Sequence, residues 1–185
     1  MKSFLAAFQF LTIFPWPRRS DRAADEIGEG ASFFPVVGFL LGAILVLSDL
    51  FLARFVPAGF LSIALVALLA WLSRGLHLDG LADTFDGLGA GGERERVLKI
   101  MDDARTGVFG LLAVVLVILF KVRAIELMDA ERWRALLIAP VLGRWAMVLL
   151  GYRATAAREG LGATLLAGMQ TRDVFLATAI TLVLA

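Results

Sequence analysis

The sequence predicts an all-α protein, a polytopic transmembrane helical bundle. Of its 185 residues, 59% are hydrophobic and only 19% are charged, and the mean hydropathy is +0.82. Apolar runs that approach or exceed 18 residues recur, and a helix of that length spans the roughly 30 Å hydrocarbon core while satisfying its own backbone hydrogen bonds. We therefore predict a single integral membrane domain over residues 1–185.

The first apolar segment, residues 1–14, resembles a short signal peptide. Because Pro15-Trp16-Pro17 stands where a small-residue cleavage site is expected, an uncleaved, half-buried helix is favoured. Four clear spans follow, at residues 33–53, 55–72, 108–122 and 136–152, the third of them short. The run 174–185 is too short to cross, so the chain is expected to be truncated at its C-terminus.

A small-residue pattern within the first clear span indicates close helix packing. Gly38-x-x-x-Gly42 lets two helix backbones approach each other. A packing groove within one chain is favoured over a contact between chains, and a homo-oligomer is left open.

Charge and composition exclude several classes of function. The formal net charge of +1 gives no reason to predict nucleic-acid binding, which needs a concentrated basic surface. The chain has no cysteine and a single histidine, His77, so disulfides, zinc-cysteine sites and multi-histidine metal sites are excluded. Most basic residues outside the spans fall on the same side as the acidic segment 74–106, which is therefore predicted to face the cytoplasm from a bacterial inner membrane.

Three carboxylates stand out in this otherwise apolar chain. Asp79, Asp83 and Asp86 follow one another at i, i+4 and i+7, so on a helix they share one face. Carboxylates this close repel one another unless a proton or a cation lies among them, and oxygen ligands suit Mg²⁺. A solvated helix face is the alternative, but no basic residue lies between Arg74 and Arg94 to offset the acids. A metal site is therefore favoured.

The glycines that follow formally contain the G-x-G-x-x-G pattern of dinucleotide-binding folds. No strand precedes residues 87–92, so that interpretation is rejected in favour of a turn in which glycine supplies positive φ. Residues 93–101 then predict an amphipathic helix at the membrane surface.

Further charged residues are candidates for substrate contacts. Asp103 and Arg105 are explained equally well as an interfacial cap or as a metal ligand and a phosphate-binding fork. Arg144 lies in the middle of a span, where a charge normally faces a polar cavity or a partner. Lys121 either marks a helix end or reaches an anionic ligand, and His77 is either a structural histidine or a proton carrier. Together these residues favour a membrane transferase that acts on a diphosphate.

Several motifs resemble the cobalamin synthase family, adenosylcobinamide-GDP ribazoletransferase. They are His77-Leu78-Asp79-Gly80-Leu81-Ala82-Asp83-Thr84-x-Asp86-Gly87, Arg94-x-Arg96, Ile100-Met101-x-Asp103-x-Arg105-x-Gly107-x-x-Gly110, Phe34-Pro35-x-x-Gly38-x-x-x-Gly42, Arg144, Tyr152 and Arg158-Glu159-Gly160-Leu161-Gly162. The family continues through further spans to a Thr-Gly-Asp stretch beyond the part that this chain resembles.

The resemblance implies a reaction, a cofactor and a set of site residues. A ribose hydroxyl of α-ribazole, or of its 5′-phosphate, attacks the cobinamide-linked phosphate of adenosylcobinamide-GDP, GMP leaves, and adenosylcobalamin or its 5′-phosphate forms with Mg²⁺ required. The implied metal ligands are Asp79, Asp83, Asp86 and Asp103. One carboxylate or His77 is expected to accept the proton, and Arg105, Lys121, Arg144 and Arg158 to bind substrate.

Two other classes of function are weighed against this one. A CDP-alcohol phosphotransferase needs Asp-Gly-x-x-Ala-Arg, and Asp83 stands where the arginine would be; an aspartate-rich prenyltransferase needs a second acidic motif. A non-enzymatic ion transporter that uses the same carboxylates predicts metal flux without any nucleotide.

Overall fold

The computed structural model describes residues 2–15, 25–128 and 130–185. Over these residues the chain forms α-helices, one short 3-10 turn and no strand, which confirms the predicted all-α class. The helices are α1 (Lys2–Leu11), α2 (Asp25–Glu29), α3 (Phe34–Leu52), α4 (Ala58–Leu72), α5 (Leu76–Ala90), α6 (Arg94–Met101), α7 (Val108–Leu127), α8 (Arg132–Gly151), α9 (Leu161–Gly168) and α10 (Thr171–Leu184). The basic residues Arg18, Arg19 and Arg22 lie outside the described residues.

The chain divides into two compact units. Unit 1 comprises residues 1–55 and 130–185, and unit 2 comprises residues 56–129. Helix α1 confirms the apolar N-terminal helix, and its residues Ala7 and Leu11 are buried in unit 1.

Helices α3 and α8 form the centre of unit 1. Gly38 lies against the carbonyl of Pro140, and a Cβ on Gly42 would lie 2.5 Å from the carbonyl oxygen of Leu137. The backbones therefore approach as the G-x-x-x-G spacing predicts, and the packing groove within the chain is confirmed. At the other end of this helix pair, Arg132 Nε donates a 3.1 Å hydrogen bond to Oδ2 of the buried Asp49.

We expect Gly38→Ala to destabilise unit 1, because all three atoms nearest to the new methyl group belong to the backbone of Pro140 and Val141. Backbone cannot rotate away, so the two helices have to separate, at a cost of about 1–3 kcal/mol. Gly143→Ala, on the same helix pair, is the matched control, since a Cβ there meets no atom within 4 Å. Thermal unfolding in detergent is the measurement, and equal melting temperatures for the two variants would contradict this account.

Within the described ranges, three helices are long and apolar enough to cross a membrane. They are α7, α8 and the segment 31–52, in which the 3-10 turn leads into α3. This supports the predicted membrane protein, with two corrections. The predicted span 55–72 begins later, at Ala58, because Pro57 precedes the first turn of α4. Helix α4 meets the length requirement only together with α5, from which it is bent by 88°.

The second correction concerns the predicted short span 108–122. The helix at this place, α7, is longer than predicted and continues to Leu127. Its last turns carry an ion pair between Arg123 and Glu126 at i, i+3, a spacing that supports a helix. In unit 1, the predicted incomplete span 174–185 forms α10, whose 14 residues do not reach spanning length.

Candidate functional site

The acidic helix α5 begins at a sharp change of chain direction. Arg74 and Gly75 both adopt left-handed conformations, with φ of 56° and 68°. Gly75 N donates a 2.8 Å hydrogen bond to the carbonyl of Ala70, which closes the end of α4. This break turns the chain by 88° between α4 and α5.

Helix α5 carries Asp79, Asp83 and Asp86, as the sequence predicts. Asp79 is exposed, whereas Asp83 and Asp86 are half-buried. Asp79 and Asp83 lie one helical turn apart on the same face. The helix ends before Gly91 and Gly92, whose φ angles of 59° and 97° confirm the predicted glycine turn. The predicted amphipathic helix follows as α6.

The carboxylate of Asp86 is bound by the start of α7. Oδ2 accepts a 2.7 Å hydrogen bond from the Gly107 amide, and Oδ1 accepts one of 2.8 Å from the Gly110 amide. Gly107 precedes the first residue of α7 and has no side chain to cap the helix. Asp86 therefore supplies from a neighbouring helix the oxygen acceptors that a capping side chain normally provides.

Contact with the Asp86 carboxylate explains why positions 107 and 110 are both glycine. A Cβ on Gly107 would lie 2.5 Å from Oδ1 of Asp86, and its three nearest atoms all belong to that carboxylate. A Cβ on Gly110 would collide with Asp86 Oδ2 and would lie 2.7 Å from the carbonyl oxygen of Ala82. Any side chain at 107 or 110 would therefore displace the Asp86 carboxylate.

The loop between α6 and α7 carries Asp103 and Arg105. Asp103 Oδ1 accepts hydrogen bonds from Arg105 N at 3.0 Å and Arg105 Nε at 3.1 Å, and Oδ2 accepts one from Arg105 Nη2 at 2.8 Å. These hydrogen bonds lower the pKa of Asp103 to about 2 and raise that of Arg105. Because the pKa of Asp103 is lower in the folded protein than its ordinary value of 3.8, the ionised carboxylate stabilises the folded state at pH values above 3.8. This contribution is lost as the pH falls through about 2. The pair thus keeps its charges at neutral pH, while the Arg105 side chain remains 89% exposed.

The four predicted Mg²⁺ ligands, Asp79, Asp83, Asp86 and Asp103, stay a prediction, and the described residues show which partners some of them have. Among the described residues, no three His, Cys, Asp or Glu side chains come together as metal ligands. Mg²⁺ commonly takes only one or two protein carboxylates and completes its octahedron with water and substrate phosphates. Asp79 and Asp83 supply two carboxylates one helical turn apart on α5. Both oxygens of Asp86 accept backbone amides, and both oxygens of Asp103 accept hydrogen bonds from Arg105.

The remaining predicted site residues of unit 2 lie on different turns. His77 is half-buried in the first turn of α5. Lys121 is exposed on α7, roughly 16 Å along the helix axis from Gly110 at 1.5 Å per residue.

Unit 1 contains the other two predicted substrate-binding residues. Arg158 is exposed in the segment between α8 and α9. Arg144 is only 5% exposed, so the prediction that it does not face lipid is confirmed. Its Nε and Nη2 atoms, which form one edge of the guanidinium plane, are buried and have no hydrogen-bond partner among the described residues. Such an edge can donate two parallel hydrogen bonds to a carboxylate or a phosphate.

A cavity of about 380 Å³ in unit 1 was not predicted from the sequence. It lies where α8 ends and α10 begins, and Tyr152, Arg153 and Thr171 contribute to its lining. The hydrogen bond between the Tyr152 and Thr171 hydroxyls, 3.3 Å long, lowers the pKa of Tyr152. The Arg153 guanidinium stacks over the Tyr152 ring at 5.1 Å.

Sequence reasoning also missed the two glycine amides that bind Asp86. Gly107 and Gly110 belong to the motif that carries the family resemblance, and their spacing of three at the start of an apolar helix was the available signal. The spacing alone does not identify the acid that lies against them.

The long apolar helices and the acidic α5 are those of an integral membrane protein. This chain belongs to the cobalamin-5-phosphate synthase family, whose profile matches residues 3–185. The resemblance to cobalamin synthase and the assignment to cobalamin assembly are thereby confirmed.

Curated relatives of this chain carry the name adenosylcobinamide-GDP ribazoletransferase. The protein from Syntrophobacter fumaroxidans is 44% identical over 98% of this chain and 75% of its own length. The protein from Geotalea daltonii is 38% identical over 99% of this chain and 74% of its own length. The protein from Caldanaerobacter subterraneus subsp. tengcongensis is 37% identical over 98% of this chain and 74% of its own length. No solved structure matches this chain at a significant level.

Proposed function

We propose that this chain joins α-ribazole, or its 5′-phosphate, to adenosylcobinamide-GDP. A ribose hydroxyl oxygen forms a bond to the phosphorus attached to cobinamide, and the bond from that phosphorus to the bridging oxygen of the diphosphate breaks. GMP leaves with the bridging oxygen, and the hydroxyl proton passes to a base on the protein. The product is adenosylcobalamin or its 5′-phosphate.

One observation supports this reaction above the others: the family match extends over residues 3–185 and includes the whole acidic helix. Catalysis of such a phosphoryl transfer depends mainly on positioning the reactants and on stabilising charge. Carboxylates on α5 and an exposed arginine in the 102–106 loop of the same unit have the chemistry for both tasks.

We propose Asp79 and Asp83 as the residues that hold Mg²⁺ together with the substrate diphosphate. When bound, the ion would neutralise charge on the leaving phosphate. In the proposed site, Arg105 binds the diphosphate, because Asp103 orients its guanidinium while most of the side chain stays exposed. His77, in the first turn of α5, or an α5 carboxylate accepts the hydroxyl proton.

Arg144, Lys121 and Arg158 are proposed as further anion contacts. Arg144 has the strongest support, since its buried Nε and Nη2 atoms carry N–H groups that can donate hydrogen bonds to an anion. We also place the protein in a bacterial inner membrane with the acidic segment on the cytoplasmic side, on the basis of where its basic residues fall.

The deciding experiment incubates the protein, purified in detergent, with adenosylcobinamide-GDP, α-ribazole and Mg²⁺, and measures GMP release by chromatography. We expect GMP to appear only when α-ribazole is present and EDTA is absent. Absence of GMP from folded protein would overturn the proposal. If metal flux through reconstituted vesicles were found instead, with no nucleotide requirement, the ion-transporter hypothesis would replace it.

A further inference from the structure

We propose that Asp86 is a positioning residue and not a metal ligand. Its carboxylate caps α7 from the neighbouring helix α5 and thereby fixes one end of the loop, residues 102–106, that carries Arg105. The role assigned to this loop in substrate binding rests on the proposed function, but the capping role does not.

Helix α7 needs hydrogen-bond acceptors for the amides of its first turn. The amides in the first turn of an α-helix have no partner within the helix. At the start of α7, the N-cap residue Gly107 offers no side-chain oxygen, and Asp86 accepts from both Gly107 and Gly110. A full negative charge at this position also interacts favourably with the dipole of a 20-residue helix.

The carboxylate of Asp86 has little space around it on the side of α7. Both oxygens of Asp86 face the α7 backbone so closely that even a methyl group at position 107 or 110 would overlap them. Each oxygen already accepts one amide hydrogen at 2.7 or 2.8 Å. Mg²⁺ requires a near-octahedral shell at 2.0–2.1 Å and gives up its waters reluctantly. A Mg²⁺ ion on Asp86 would therefore have to compete with both of these amide hydrogen bonds.

The Asp86 cap also bears on Arg105, the arginine proposed to bind substrate. Only residues 102–106 separate the end of α6 from Gly107, and Asp103 folds this short loop by accepting the Arg105 amide. Asp86 holds the Gly107 end of the loop through the Gly107 amide. Loss of the cap would free that end and change where the exposed Arg105 guanidinium lies, while leaving Asp79 and Asp83 in place.

The first test measures metal binding directly. Protein in detergent is titrated with Mn²⁺ as a Mg²⁺ substitute, and free Mn²⁺ is followed by electron paramagnetic resonance. We expect Asp86→Asn to bind Mn²⁺ within about 2-fold of wild type, whereas Asp79→Asn and Asp83→Asn bind at least 10-fold more weakly, the scale of a lost ligand or of its support. Weakening of the same size in Asp86→Asn would overturn the proposal.

The second test measures turnover of the same variants. Asp86→Asn is expected to lower kcat by up to about 100-fold, the scale of a small misplacement of a positioned group, with an unchanged Mg²⁺ concentration for half-maximal rate. Asn keeps one acceptor oxygen but turns an NH₂ group towards the second amide, so the loop is loosened but not lost. A rise in the Mg²⁺ requirement with unchanged kcat would contradict the positioning role.

The third test needs no activity and isolates the contact itself. Gly107 has φ −83° and ψ −178°, which alanine adopts without strain, so the cost of Gly107→Ala comes from overlap with Asp86. We expect Gly107→Ala to lower the melting temperature by roughly 3–10 °C in the wild-type background and by much less when combined with Asp86→Ala. Gly59→Ala, where a Cβ meets nothing within 4 Å, is the control and should be additive with Asp86→Ala.

These measurements separate failure of this inference from failure of the proposed function. Additive effects of Gly107→Ala and Asp86→Ala would overturn the cap, whether or not the protein releases GMP. Coupled effects in a protein that binds no Mn²⁺ would support the cap and refute the metal proposal.

Discussion

Asp83→Asn is expected to abolish turnover while the protein remains folded. The substitution keeps the size of the side chain but removes the charge that, in our proposal, holds Mg²⁺ on the half-buried face of α5 beside Asp79. Removing one element of electrostatic stabilisation at a reacting phosphate costs roughly 10²- to 10³-fold in rate. GMP release is the measurement, with expression level and thermal unfolding measured in parallel.

The matched control for this experiment is Glu95→Gln, which removes an exposed carboxylate from α6 in the same unit. Its turnover is expected to stay near the wild-type value. If Asp83→Asn instead failed to fold, Asp83 would be a structural residue. If both variants kept full activity, the metal site would have to be sought elsewhere.

Arg144→Met and Arg132→Met are expected to change stability in opposite directions, although both remove an arginine from α8. Arg144 is buried, and two of its nitrogens have no hydrogen-bond partner in the part of the chain that the structure describes. A hydrophobic replacement of similar length therefore removes an uncompensated charge. We expect the free energy of unfolding to rise by about 1–4 kcal/mol. Turnover is expected to fall sharply, because the proposed anion contact is lost.

Arg132→Met is the comparison because it leaves the buried Asp49 without the arginine to which it is hydrogen-bonded. Breaking a buried pair in this way costs about 3–5 kcal/mol. Thermal unfolding in detergent, without substrate, distinguishes the two variants. A lower melting temperature for both would mean that Arg144 is already paired with an anion in the substrate-free protein.

The sequence predicted the parts of this structure that local patterns determine. Helical spacing identified α5 and its carboxylates, glycine identified the turn at Gly91 and Gly92, and the cost of a charge in lipid predicted that Arg144 is buried. The close approach of α3 and α8 at Gly38 also followed from a local motif. Each of these patterns lies within about one to four turns of a single helix, where the geometry is fixed by the backbone.

The missed features depend on contacts between distant segments or on a small number of dihedral angles. Asp86 is separated from Gly107 by 21 residues, and no periodicity in α5 distinguishes an acid that caps another helix from one that binds metal. The bend between α4 and α5 depends on Arg74, which adopts a positive φ that is uncommon for a residue with a side chain. The end of α7 was placed too early because Lys121 and Arg123 suggested the membrane boundary, although the helix continues past both.

The 88° bend before α5 determines how a solute reaches the acids. A bilayer that holds α4 along its normal leaves α5 parallel to the water interface, so Asp79 and Asp83 lie at one depth and not at successive depths through lipid. The proposed site requires that depth to be the membrane surface, where a water-soluble nucleotide meets both acids without crossing hydrocarbon. Chemistry in such an arrangement requires no pore.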